Sequence, residues 1–372
     1  MIDAQLDVQE STLKTVQAVQ RSLLLAGTVD ALLVPLSLPS GSVAPMLVKD
    51  PVALNQANPL APVLPINAAR AASLLTATNP QHILGLVLRP CEIRALVELV
   101  KFQQASLDNA LIIGIDCLGT YSVTDYQAND QNRLLDQLLA GAPSGQPRPH
   151  EGLDYRAACP ICEQPLPEGH HLALSIGLVG VQPGSLYLRA RDDLAEPLGI
   201  TASNPPAGRA AAAQAYIDAR TQARDAAFAQ FRDRVHSMDG LLDEFSSCIR
   251  CHNCMINCPI CYCRECIFRT PTFEHESQLL FQWAERKGAV RLLPDTLLFH
   301  LTRLNHMVTS CVGCGICADV CPVDIPVGTV FRAVGEKTQA VFDYHPGRSL
   351  DEAAPVQEFR EDELTALGER PH

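Results

Sequence analysis

The sequence has no apolar run near the ~18 residues that a bilayer-spanning helix needs; its longest, Leu84 to Leu88 and Leu111-Ile112-Ile113, are short. No membrane span is expected. Positive charge is also in deficit, with 29 Lys and Arg against 41 Asp and Glu and a net charge of −12. That argues against a nucleic-acid surface, which needs a basic footprint to release counterions. Where an export signal would be basic, the first residues carry Asp3, Asp7 and Glu10, so a cytoplasmic location is expected. No Gly-x-Gly-x-x-Gly follows a strand, and a Rossmann site is not supported. No paired carboxylates, activated Ser or molybdenum-type ligand motif stands out, so primary substrate oxidation is expected elsewhere. What remains, 47% apolar and 19% charged residues over 372 positions, describes a globular chain of two or three domains.

Cysteine is sparse for two thirds of the chain and then dense. Four (Cys91, Cys117, Cys159, Cys162) precede residue 248, and eleven fall between Cys248 and Cys321. In a reducing compartment, thiols at short fixed spacings are metal ligands more often than disulfides. Cys248-x2-Cys251-x2-Cys254-x3-Cys258-Pro259 recurs as Cys311-x2-Cys314-x2-Cys317-x3-Cys321-Pro322. This is the run of two-cluster ferredoxins, in which three close thiolates wrap one cubane and the fourth, before Pro, reaches the other. Cys248, Cys251, Cys254 and Cys321 are therefore assigned to one [4Fe-4S] cluster, and Cys311, Cys314, Cys317 and Cys258 to its neighbour. Two runs with matching Pro leave little room for a zinc knuckle. Cys261, Cys263 and Cys266 follow the first run as an alternative ligand, an extra cluster or buried thiols. His300 and His306 are expected to be structural, capping or core residues.

The first part reads as α/β with a partly parallel sheet. Ser11 to Leu25 has helical spacing, Val29 to Val34 reads as a strand closed by Pro35, and 67–75 as a helix. Strand Ile83 to Leu88, a turn at Arg89-Pro90-Cys91-Glu92, helix Ile93 to Phe102 and strand Leu111 to Asp116 suggest a parallel pair with a crossover. Such sheets carry ligands at the carboxyl ends of their strands, where Cys91 and Cys117 lie. Leu172 to Val181 reads as a further strand. The Ala-rich stretch from Arg209 to His236 is a helix, bridging the domains or packed on the first. Gln278 to Trp283 and Thr296 to Met307 also have helical spacing. The expected division is an α/β domain over 1–205, a linking helix over 206–240, a mostly α-helical dicluster ferredoxin domain over 241–340 and an acidic tail over 341–372. A helical ferredoxin domain of this kind is similar to that of succinate dehydrogenase iron-sulfur subunits.

Four cysteines outside the runs are what one further cubane needs. Cys91, Cys117, Cys159 and Cys162 are candidates for a third [4Fe-4S] cluster, against a reading as buried small residues and a zinc half-site. The stretches Val87 to Leu99, Ile113 to Thr120 and Cys159-Pro-Ile-Cys162 with Ile176-Gly177 resemble the coenzyme F420 hydrogenase/dehydrogenase beta-subunit family. Cys258 to Cys266 and Tyr344-His345-Pro346-Gly347 look like its formate dehydrogenase beta branch. The resemblance implies an electron-transfer subunit carrying FAD and several [4Fe-4S] clusters, working with a catalytic formate dehydrogenase or hydrogenase subunit. From the residues, Arg89 or Arg94 could meet an FAD pyrophosphate, although Arg94 could equally pair with Glu98 on an exposed helix face.

The reading is an oxidoreductase subunit that relays electrons between a catalytic partner and a soluble or protein acceptor. Two rivals stand beside it. One is a stand-alone flavin-dependent reductase of a soluble carrier, deazaflavin or nicotinamide. The other is a docking module of a heterodisulfide-reductase-like assembly, with the acids at 351, 352, 358 and 361–363 as its surface or as a solvated tail.

Overall fold

A computed structural model describes residues 1–78 and 81–358. The first half is built on one seven-stranded sheet in the order β1-β7-β6-β5-β4-β2-β3. The strands are β1 (Ile2–Asp7), β2 (Ala31–Ser37), β3 (Val43–Val48), β4 (Leu84–Leu88), β5 (Ala110–Ile115), β6 (Leu172–Gly177) and β7 (Ser185–Ala190). β2, β4, β5 and β6 run parallel, while β3, β7 and β1 complete the edges antiparallel. The partly parallel α/β sheet expected from the sequence is present. β4 and β6 are buried along their whole length, as strands covered on both faces must be.

The strand expected to stop at Pro35 instead runs on to Ser37. Its pairing with β4 ends at Leu33, so the missing N–H at Pro35 costs no bond on that side, and Pro35 lies opposite Pro45 of the edge strand β3. β1 went unread, although Ile2, Ala4 and Leu6 alternate with polar residues.

Helices α1 (Thr12–Leu25), α4 (Val123–Ala128) and α5 (Gln131–Gly141) contribute to one core, and α2 (Ala69–Thr76) and α3 (Pro90–Lys101) to a second. A one-turn α6 (Ala195–Leu198) follows β7. Beyond it, every regular element among the described residues is helical: α7 (Arg209–Arg234), α8 (Met238–Glu244), α9 (Asn253–Ile256), α10 (Ser277–Lys287), α11 (Thr296–Met307), α12 (Ile316–Asp319) and α13 (Val327–Val341), with short 3₁₀ turns. The second core continues without a break from Ile93 and Leu96 of α3 to Phe228, Phe245, Ile260, Val312 and Phe331. The cysteine-rich half therefore packs on the α3 side of the sheet.

α3 organises this junction. Pro90 takes its first position, and Glu92 accepts from the backbone N–H groups of Arg89 and Ala68 at 2.9 and 2.8 Å, tying the start of α2 to the start of α3. Cys91 thus sits in the first helical turn and not in a preceding loop. The suggested Arg94–Glu98 pair on an exposed face is not formed, because that face is covered. Arg94 donates to Val312 O at 2.7 Å. Glu98, fully buried, accepts from Tyr344 Oη at 2.5 Å and Gly347 N at 2.8 Å and pairs with Lys101. Residues 344–347 of the segment read as an acidic tail therefore lie against α3. Glu361, Asp362 and Glu363 lie outside the described residues.

A second tie crosses the same junction. Arg332 of α13 donates to both oxygens of Glu163 at 2.6 Å. Burial alone would raise the Glu163 carboxyl, but the Arg332 guanidinium, with Arg94 behind it, brings it below the usual range. A depressed carboxylate stabilises the fold fully above its unfolded value near 4.5 and loses that contribution as pH falls. Glu163→Gln is expected to cost about 3 kcal/mol at neutral pH, the low end of what breaking a buried pair costs. The variant should also lose less further stability on acidification than the wild type; urea midpoints at unchanged slope measure both.

Candidate metal centre

Each ferredoxin run curls and ends in a one-turn helix, α9 or α12, and the two turns pack together, with Asn253 Nδ2 reaching Val320 O at 3.4 Å. The curl needs left-handed backbone at two points per run. In the second run these are Gly313 (φ 70°) and Gly315 (φ 76°); in the first they are Arg250 (φ 51°) and His252 (φ 63°). Gly315 is obligatory because a Cβ there would overlap Ala158 Cβ. In the first run the space beside these positions is filled by the side chains themselves: Arg250 pairs with Asp295 and the His252 ring stacks on Phe299 at 4.9 Å.

The sulfurs group as the exchange between runs requires. Cys248, Cys251, Cys254 and Cys321 line one cavity with Phe299, His300 and Val327. The charges of Cys248, Cys251 and Cys321 all act on Cys254. In the other set, Cys314, Cys258 and Cys311 act on Cys317, and Cys314 and Cys311 on Cys258. Burial pushes the Cys258 thiol up to about 12 and Cys314 to about 11. Bound iron reverses this, since a coordinating thiol is deprotonated outright. Among the described residues, no three His, Cys, Asp or Glu side chains close on one point as a single ion needs.

Donors surround the sulfurs. Arg250 N lies 3.3 Å from Cys248 Sγ, and Ile325 N lies 3.4 Å from Cys321 Sγ. Arg303 Nη1 is 3.1 Å from Cys254 Sγ, and the charges of Cys258 and Cys317 also act on its guanidinium. His300, read as a capping or core residue, is buried and stacked on Phe245 at 3.9 Å, with Nε2 3.2 Å from Cys248 Sγ. Burial, with Arg303 and Arg291 nearby, pushes its pKa down to about 3, so the ring is neutral. His306 is exposed. Cys261 lies within reach of the charges of Cys263 and Cys266, and Cys266 Sγ is 3.6 Å from Met255 Sδ.

The four early cysteines, separated by up to 71 positions, line a single cavity with Arg89, Thr120, Arg156, Arg220 and Cys314. Cys91 comes from the first turn of α3 and Cys117 from the residues just after β5. Cys159 and Cys162 come from a turn in which Cys162 N donates to Cys159 O at 3.2 Å. Nearby Asp116 fixes the β5 end by accepting from Leu178 N and Val179 N, at 2.8 and 3.0 Å, and from Arg209. Burial raises the Cys91 thiol well above its usual value. It works the same way on Cys159, but Arg156, Arg220 and the Thr120 hydroxyl, 3.1 Å from the sulfur, bring that thiol below its usual value. Arg156, Arg220 and Arg303 belong to no motif; the cue for the last two is that they follow Tyr216 and Phe299 by four residues on the buried stripes of their helices.

Arg89 and Arg94, either of which could meet a pyrophosphate on the sequence reading, face different spaces. Five helical positions turn a side chain by about 140°. Arg89 lines the four-cysteine cavity and donates to Ala61 O. Arg94 lines a groove of about 390 Å³ with Ile93, Glu163, Pro167 and Arg348, which shares Pro90, Gln164 and Pro165 with that cavity. The Arg94 Nε atom is buried there without a partner.

Comparison with known proteins bears on this arrangement. Residues 243–325 match the 4Fe-4S dicluster domain family, a span that holds all eleven late cysteines. This is an iron-sulfur protein. Over 296 residues, the chain is 27% identical to the F420-dependent formate dehydrogenase subunit beta of Methanocaldococcus jannaschii, covering 72% of this chain and 74% of that one. The chain is related to formate dehydrogenase beta subunits. The F420-dependent formate dehydrogenase 1 subunit beta of Methanococcus maripaludis is 25% identical over 303 residues, covering 73% and 74%. A chain of the F420-reducing [NiFe] hydrogenase complex of Methanosarcina barkeri aligns with a TM-score of 0.41 at 11% identity, over 64% of this chain and 94% of that one. The family resemblance carried by the motifs around Cys91, Cys117 and Cys159 agrees with these beta-subunit relatives. No helix among the described residues is long and apolar enough to cross a membrane.

Proposed function

We propose that the chain is the electron-transfer subunit of a formate dehydrogenase or hydrogenase complex, with three [4Fe-4S] clusters in series. Cys91, Cys117, Cys159 and Cys162 would hold the first, Cys311, Cys314, Cys317 and Cys258 the second, and Cys248, Cys251, Cys254 and Cys321 the third. The observation that carries this is the cavity shared by the four early cysteines and Cys314, which makes neighbours of the α/β site and the dicluster domain. Clusters supply one-electron transfer with little rearrangement. The protein's part is to bury the thiolates and aim N–H and guanidinium donors at them, which raises the potential by favouring the reduced charge. His300 and Arg303 do this for the Cys248 set, and Thr120 for Cys159. Cys251 is exposed, giving that set an edge toward a partner.

The name of each curated relative supports a catalytic formate-oxidising partner. FAD is the finer proposal, in the groove beside Pro90 and Gln164. There Arg94 and Arg348 would meet its phosphates, and the flavin would exchange single electrons for hydride chemistry. The residues fit an anionic ligand through Arg94; Arg89 is not part of that site.

Anaerobic purification with iron, sulfide and flavin quantitation tests the reading. The wild type is expected to hold about twelve irons per chain, three cubanes' worth, with flavin in the denatured supernatant. Cys91→Ser and Cys117→Ser should each fall to about eight. Unchanged iron in either variant would overturn the third cluster, and a flavin-free supernatant would overturn FAD.

A further inference from the structure

Arg156 stands where the two halves of the chain meet. It is buried, lines the cavity of Cys91, Cys117, Cys159 and Cys162, and donates through Nη2 to the backbone carbonyl of Cys314 and through Nη1 to Asp319 and, at 3.5 Å, to Leu64 O. The charges acting on it are those of Cys159, Asp319, Cys91 and Cys314, drawn from both sulfur sets. Of the other buried guanidiniums, Arg220 bonds Cys159 O and Tyr216 Oη within the α/β half and Arg303 lies among the ferredoxin sulfurs; Arg94 and Arg332 also cross the junction, to Val312 O and Glu163, but neither lines the four-cysteine cavity. Asp319 follows Cys317 by two residues on α12 and is partly exposed, so the Arg156–Asp319 pair spans from the junction to the rim.

We infer that Arg156 and Asp319 form a charge pair of opposite action that sets, in common, the potentials of the early-cysteine site and the Cys314 cluster. The inference rests on the three-cluster reading. With clusters held by both cysteine sets, one electron would leave one and enter the other, with no proton or bond changing hands. The negative charge it carries is offset on either side of the junction by the same guanidinium, in a medium with little water to screen it. Asp319 opposes that offset. Gly315 holds the distance short, because a residue with a Cβ there would overlap Ala158 two positions beyond Arg156. Arg156 is a positioning residue in this scheme and touches no substrate.

The experiment is an EPR-monitored redox titration of the anaerobically purified full chain, as wild type, Arg156→Gln, Arg156→Lys and Asp319→Asn, with iron counted in each. Removing the cation should lower the potentials of the early-cysteine cage and the Cys314 cage at least tenfold in reduction equilibrium, 59 mV for one electron. Removing the anion should move the same two upward, Arg156→Lys should lie nearer the wild type than Arg156→Gln does, and the Cys248 cage should move least. Shifts of the same sign in Arg156→Gln and Asp319→Asn, or equal shifts of all cages, would overturn the inference, as would no shift. Should Arg156→Gln lose iron, Asp319→Asn decides alone, since it leaves Arg156 in place. A wild type with only two cages' worth of iron instead sinks the three-cluster reading itself.

Discussion

Cys321→Ala is expected to empty the cluster of the other run. The protein should lose about four irons, taken from the set of Cys248, Cys251 and Cys254, while Cys311, Cys314 and Cys317 keep theirs. Double variants tell which set was lost, because effects on one unit do not add and effects on separate units do. Cys321→Ala with Cys251→Ala should lose no more iron than either alone. Cys321→Ala with Cys314→Ala should lose about eight. The reverse pattern would mean that each run holds its own four thiolates. The exchange is favoured by the position of Cys321 in the cavity of Cys248 and Cys251 and by the charges of Cys311 and Cys314 acting on Cys258.

The two runs should also answer oppositely to changes at equivalent backbone positions. Gly315→Ala adds a Cβ against Ala158 at a left-handed residue. Overpacking and strain together should cost about 2–4 kcal/mol. Because the clash lies at the junction, early iron loss from the Cys91 site should accompany the lower urea midpoint. His252→Gly, at the matching place in the first run, relieves about 1 kcal/mol of left-handed strain and forfeits about as much in the Phe299 stack. Its midpoint should lie within about 1 kcal/mol of the wild type. A gain in His252→Gly as large as the loss in Gly315→Ala would show that the curl itself, and not the junction, makes glycine necessary.

What could be read from the chain alone followed the range of the interaction. The cysteine runs were legible because their geometry is set within a dozen residues, and β4, α3 and β5 because apolar spacing and a proline mark them. That Cys91, Cys117, Cys159 and Cys162 form a set was inferred by number; their common cavity depends on three strand and helix ends meeting at one edge of the sheet. The partners of the buried arginines were not legible. On a sequence, Arg94 four before Glu98 looks like a solvated helix pair, and only the packing of Val312 and Tyr344 over α3 gives each a different partner. Pro35 misled for a related reason: a proline ends a strand only where a neighbour needs its N–H.

The contact between Glu98 and residues 344–347 has a consequence for biosynthesis. A carboxylate with no exposed surface depends on donors that leave the ribosome some 246 residues after it. While the nascent chain is shorter, Glu98 lacks its Tyr344 and Gly347 donors and keeps Lys101 as a partner on its own helix. The face of α3 that carries Glu98 is therefore expected to close late in synthesis, once residues 344–347 have emerged.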